Sequence, residues 1–315
     1  MTRQRLSPHR VARAAGRLSL LAPVVLMCVH GVIEGQVKPR RGTMVLRDIR
    51  TVEPDLAIPP LSEGKAWAGK RVKETIAEYQ ETDVYHVLYL PPDWHAGKRY
   101  PVIVEYAGNQ WRNDKTGDVC TGLPEGCKLG YGLSGGRGFI WICLPYVNAE
   151  EKKNQATWWG DVAATVDYCK KAVRHVCEKY RGDPSSVILA GFSRGAIACN
   201  YIGLHDDEIA ELWLAFLPYS HYDGVRKWAY EGSDRESAIV RLHRLRGRAV
   251  FVCQEHSVEA TRKYLSSTGI EAPVTFQPIS FRNHNDGWVL RPIPERRALR
   301  AWLKYVLDAR PGRKP

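Results

Sequence analysis

Gly191-Phe192-Ser193-Arg194-Gly195 is the segment of this chain best suited to chemistry. A serine hydroxyl becomes a useful nucleophile when a tight turn presents it and a base stands ready to take its proton. The glycines on either side let an incoming strand and an outgoing helix approach closely. The flanks have the right character: Ser186-Val187-Ile188-Leu189-Ala190 reads as a buried strand, and the run from Ala196 to Gly203 as a helix. Such a turn puts Ser193 Oγ at a helix N-terminus, where developing negative charge is favoured.

With these residues go Tyr89-Leu90-Pro91-Pro92, Tyr100-Pro101-Val102-Ile103-Val104, and Asp183-Pro184 ahead of the serine. Together they make residues 84–307 resemble the α/β-hydrolase superfamily, especially secreted bacterial esterases of the feruloyl-esterase and polymer-depolymerase kind. The resemblance implies a serine mechanism in the chain order Ser, acid, His. His284 then stands where the family places its base, in the loop between the last strand and the last helix. His221 and His256 come too early for that role. The acid is implied on the loop after the strand Ala249–Cys253, where Glu255 and Glu259 are available. Glu255 is the choice, because Glu259 falls in a helical pattern. Asp286, two residues past His284, reads as a local hydrogen-bonding group. The resemblance also implies an oxyanion hole from the N–H of Arg194 and of Gly108 or Asn109, with Gln110 as a further candidate. A Ser-Arg pair is similar to that of glucuronoyl esterases, where the arginine assists the oxyanion, but the lysine that follows there is missing. An arginine packed on the helix surface is the plainer reading of Arg194.

Short apolar runs bounded by glycine and proline supply the elements that must hold these groups. Strands are expected at 84–90, 101–106, 139–147, 186–190, 212–217, 249–253 and 275–281. Helices are expected at 158–180 with Thr157 as cap, 193–203, 258–266 and 294–307. This alternation predicts a mostly parallel central sheet with helices on both faces. The resemblance implies that it is an α/β-hydrolase fold, and the 62 residues from Ser193 to Glu255 leave no room for a large cap domain. Residues 1–35 read as a signal peptide, 36–82 as an N-terminal arm with a short helix near 70–80, and 83–310 as the catalytic domain.

The leader is arginine-rich and continues into the apolar run Leu18 to Val29, too short for a stable membrane span. Cys28 follows Met27, a residue too large for a lipid-attachment motif. A secreted or periplasmic protein is expected. The loop Cys120-Thr-Gly-Leu-Pro-Glu-Gly-Cys127 then reads as a disulfide staple on an irregular wall spanning 107–138. The other cysteines after Cys28 read as core thiols. No metal-ligand spacing is present, and neither metal nor organic cofactor is expected. The net charge of +12 includes five leader arginines against one glutamate. The remaining basic residues are scattered without a nucleic-acid motif, so a solvated basic surface is expected.

Trp111, Trp158, Trp159, Trp288, Tyr219 and Tyr222 fall near the site loops, where rings could stack on sugars or aromatic acyl groups, although core packing is the commoner fate. The expected reaction is carboxylic-ester hydrolysis through an acyl-enzyme, on an ester that a polysaccharide could carry. Two rivals stand beside it. One is a prolyl-oligopeptidase-like peptidase, for whose propeller the N-terminal segment is too short. The other is a catalytically silent hydrolase fold that binds glycan. The acyl group, the alcohol and the oligomeric state are left open.

Overall fold

The computed structural model of the chain describes residues 46–310. The expected leader at 1–35, with Cys28, and the first part of the arm lie outside the described residues. Eight strands form one sheet: β1 (Arg71–Glu74), β2 (His86–Tyr89), β3 (Tyr100–Tyr106), β4 (Ile140–Leu144), β5 (Gly182–Phe192), β6 (Ala215–Tyr219), β7 (Ala249–Glu255) and β8 (Val274–Ile279). Their spatial order is β1-β2-β4-β3-β5-β6-β7-β8. β2 is antiparallel to both β1 and β4, and every pairing from β4 onward is parallel.

Parallel neighbours need crossovers, and helices supply them. They are α1 (Leu129–Ser134), α2 (Val162–Lys179), α3 (Arg194–Tyr201), α4 (Asp207–Ala210), α5 (Arg235–Leu242), α6 (Glu259–Ser266) and α7 (Pro294–Asp308). Side chains of β3 alternate as the pleat requires: Val102 and Val104 enter the core under α2 and α3, while Ile103 enters the core under α1 and α7. Burial on both faces is why these strands read as unbroken apolar runs. Between α3 and β7 lie only α4, β6, α5 and turns, so no large cap covers the sheet. Among the described residues, no helix is long and apolar enough to cross a membrane.

Three expectations are corrected. The sheet begins before residue 83, because Arg71–Glu74 pairs in register with β2 where a short helix was expected. Four residues cannot express a helical period, and the free edge of β2 decides their state; only a single turn of 3-10 helix follows, at Ala77–Tyr79. Next, α2 starts at Val162 rather than Trp158. Trp158 and Gly160 take φ of 54° and 61°, which no right-handed helix admits, and Asp161 caps the helix by accepting from Ala164 N at 2.8 Å. Finally, the 107–138 wall is partly regular. It holds a hairpin of Trp111–Asn113 with Asp118–Cys120 as well as α1, and Cys120 and Cys127 are both free thiols. Cys127 is buried in the core beside Cys143 on β4.

His86 of β2 is fully buried, with Nδ1 2.8 Å from the Tyr168 hydroxyl and Nε2 unpartnered. Burial, followed by the charges of His175 and Lys179, pushes its pKa down from 6.5 to about 3. Between those values the unfolded chain binds a proton that the folded chain refuses. Stability should therefore fall as pH drops from 6.5 toward 3, by up to about 1.4 kcal/mol per pH unit from this one group. In urea unfolding across that range, His86→Gln should flatten the slope by that amount. An unchanged slope would show that His86 is not the group responsible.

Candidate active site

The elbow is built by close approach. A Cβ on Gly191 would lie 2.0 Å from the Gly195 carbonyl oxygen, and a Cβ on Gly195 would lie 2.0 Å from that of Tyr106. Only glycines let β5, α3 and the end of β3 meet there. Between them Ser193 is held at φ 55°, ψ −112°, a strained conformation fixed in part by its N–H donating to Tyr219 O at 2.9 Å.

Three loops at the C-terminal edge of the sheet bring the other groups to this serine. His284 Nε2 lies 3.0 Å from Ser193 Oγ, and His284 Nδ1 lies 3.0 Å from Glu255 Oε1. Glu255 is the last residue of β7, and its side chain is only 11% exposed. Burial would raise its carboxyl, but the hydrogen bond and charge of His284 outweigh this and hold it below its ordinary value. It is therefore an anion at neutral pH. Glu259 is exposed on α6 beside Arg262, at 3.6 Å, and does not reach the site. Asp286 pairs with Lys128 at 2.6 Å. His256 sits in an exposed turn at φ 64°. His221 stacks on His284 with centroids 5.7 Å apart and stays neutral, since burial and then His284 push its pKa down.

Sequence reasoning missed the groups that hold this arrangement. Ser220, directly after β6 at φ 88°, places Oγ 3.1 Å from His284 Nδ1, beside Glu255. The base loop is fastened from both sides. Asp118 Oδ1 accepts from Asn283 Nδ2 at 3.0 Å and Asn285 Nδ2 at 3.1 Å, while Asn283 Oδ1 accepts from Ile49 N at 2.7 Å. A polar Asn-His-Asn run flanked by a buried aspartate is a signal that could have been sought.

The oxyanion candidates separate clearly. Gln110 N–H is spent on Ala156 O at 2.8 Å. Arg194 N–H is the first of α3 and has no carbonyl four residues back to accept it. Gly108 lies close enough that an added Cβ would come within 3.1 Å of Ser193 Cβ. Asn109 uses its side-chain oxygen to accept from Trp158 N at 2.7 Å, which fixes the loop.

The Arg194 side chain neither assists an oxyanion nor lies on a helix surface. It is 1% exposed. Its guanidinium donates to the carbonyls of Gly108 at 2.9 Å, Gly122 at 3.0 Å and Trp158, and stacks over Tyr146 at 3.8 Å. Burial lowers its pKa. One cation thus ties three loops behind Ser193. Arg194→Met would leave those buried acceptors unpaired, so a stability loss on the order of 3 kcal/mol is expected. Urea unfolding measures this, and a loss below about 1 kcal/mol would show that the loops hold without the clamp.

Of the six aromatic residues expected near the site, Trp111 lines the cavity at Ser193. Trp288, Tyr219 and Tyr222 are core. Trp228, not anticipated, forms another wall of this cavity of about 370 Å³. Glu105, Cys127 and Cys143 place ligand-type atoms within 4.8 Å of one another. They do not fit a metal. Glu105 Oε1 accepts from Lys128 N and Leu129 N, both at 3.0 Å, and Oε2 accepts from Gly130 N at 2.8 Å and Trp141 Nε1 at 2.9 Å. The lone pairs a metal would need are already spent.

The fold of the chain is shared with known structures. One of two esterases from the fungus Rhizomucor miehei aligns at 12% identity and TM-score 0.53, over 76% of this chain and 83% of its own. The chain has the α/β-hydrolase fold. A Bacteroides ovatus protein assigned as a dipeptidyl aminopeptidase IV shares the hydrolase fold at 13% identity and TM-score 0.51, over 76% of this chain. The chain spans 35% of that protein's length. No protein-family model matches the sequence, and no curated protein matches it.

Proposed function

We propose that this hydrolase-fold chain is an exported serine esterase that cleaves carboxylic esters carried on polysaccharide. The observation that carries the reading is the pair of 3.0 Å contacts running from Ser193 through His284 to Glu255. In this reading His284 Nε2 takes the Ser193 proton as Oγ attacks the ester carbonyl. The N–H groups of Arg194 and of Gly108 or Asn109 receive the oxyanion. Collapse breaks the bond to the alcohol oxygen, which leaves with the proton from His284. Water, deprotonated by His284, then releases the acid and restores Ser193. Glu255 holds Nδ1–H toward itself and favours the imidazolium formed in each half. The chemistry closes with these groups alone.

Trp111 and Trp228 give the cavity two flat apolar walls, which suits a ring-bearing substrate. The deciding experiment pairs a fluorophosphonate probe with a substrate panel. Labelling at Ser193, hydrolysis of p-nitrophenyl acetate and inertness toward peptide anilides are expected, followed by turnover of at least one acetyl, feruloyl or glucuronoyl oligosaccharide ester. No labelling would indicate a silent binder, and faster anilide cleavage would indicate a peptidase.

A further inference from the structure

A separate cavity opens at the other end of the sheet, where β5 begins. Its volume is about 360 Å³, inside the roughly 300–1,000 Å³ range of small-molecule sites. The floor is apolar, from Val173 on α2, Val187 on β5 and Leu212 ahead of β6, and the Cys177 thiol opens onto it. The rim carries Arg99, Arg174 and Arg181 against the single carboxylate of Glu178. Pro184 of this cavity lies near the start of β5 and Ser193 directly past its end, so the two sites are at opposite ends of the strand.

These guanidinium groups are poorly answered from within the protein. Arg174 reaches Glu208 only at 3.8 Å. Arg99 donates to the Gly182 carbonyl at 3.1 Å and has no carboxylate partner among the described residues. Arg181 Nε is buried without any hydrogen-bond acceptor. The nearby carboxylate of Asp183 is already engaged by Arg310, Ser185 and Ser186. Arg181 also takes φ 64° just past the end of α2, a position where glycine is the easier residue. The helix's terminal carbonyls favour cations nearby, but they leave Arg181 Nε without an acceptor.

We propose that this cavity binds an organic anion, with a carboxylate head held between Arg99 and Arg181 and a short apolar body on Val173, Val187 and Leu212. Arginines lining an apolar cavity with few carboxylates to answer them match that chemistry, and fork-shaped guanidinium groups suit a carboxylate. The site stands apart from the ester reading and does not need Ser193.

The test uses the full chain carrying Ser193→Ala, so the elbow cannot react. Octanoate should slow iodoacetamide labelling of Cys177, read by peptide mass spectrometry, and leave Cys120 labelling unchanged. At equal concentration 1-octanol and inorganic phosphate should protect far less. By calorimetry, Arg99→Gln combined with Arg181→Gln should raise the octanoate Kd by about tenfold or more. Equal protection by octanol would leave an apolar groove only, and equal protection by phosphate a charged patch only. Either result overturns the proposal, as does an absence of protection or an unchanged Kd. Should the double variant fail to fold, Cys177 protection in the parent decides. Loss of esterase activity in other experiments would not touch this result.

Discussion

Ser193→Ala is expected to lower ester hydrolysis by about 10⁶-fold, the scale of removing a serine nucleophile from a triad. The change deletes only Oγ, the atom 3.0 Å from His284 Nε2. The strained turn is set by backbone contacts with Tyr219 and the close packing of Gly191 against Gly195, and these survive. The variant should therefore unfold at nearly the parental urea midpoint. What remains should be the fraction contributed by substrate binding and the oxyanion donors. Measured with p-nitrophenyl acetate, a kcat within tenfold of the parent would remove Ser193 from the mechanism.

Glu255→Gln should lower kcat by roughly 10²–10⁴-fold with a much smaller change in KM. Glutamine keeps the size of the side chain but loses the charge that favours imidazolium. Its amide can also donate toward Nδ1, turning the ring to the wrong tautomer. Ser220 Oγ, 3.1 Å from the same nitrogen, offers a neutral acceptor that can preserve part of the ring's orientation. The loss should therefore deepen when Ser220→Ala is added. Glu259→Gln, on an exposed side chain paired with Arg262, should stay within about tenfold of the parent. If the Glu259 variant were the impaired one, the acid would have been assigned to the wrong loop.

The nucleophile segment was legible because its signal is local. Two glycines, a buried strand and a helical run within twenty residues admit few other structures. His284 and Glu255 were legible only through chain order, since 29 and 91 residues separate His284 from the groups it touches. Composition misled at α1. Gly130 and Gly132 made 129–134 look like loop, yet those glycines are present because the helix packs against Trp141 and Val289, where a Cβ would lie 2.2 and 2.3 Å away. The cysteine pair misled for a similar reason: loop proximity in sequence says nothing about whether Cys127 is taken into the core beside Cys143. Arg194 was undecidable, because its partners are backbone carbonyls from three loops and carbonyls leave no trace in a sequence. Trp228 lay in a stretch without periodicity, so nothing placed it at the cavity.

The fastening of the base loop has a consequence for how the protein comes into being. Ile49 binds the side chain of Asn283, 234 positions later, and Asp118 holds that same asparagine and Asn285. A chain emerging from the ribosome has its nucleophile turn available early, since the strands and helix around Ser193 are complete well before the last loop is made. His284 follows 91 positions after Ser193, and the groups that fasten its flanking asparagines, Ile49 and Asp118, precede Ser193. Contacts of such separation form late. Until residue 284 has been made and seated, the proposed Ser193–His284–Glu255 arrangement lacks its proton acceptor, and Ser193 is expected to be unreactive.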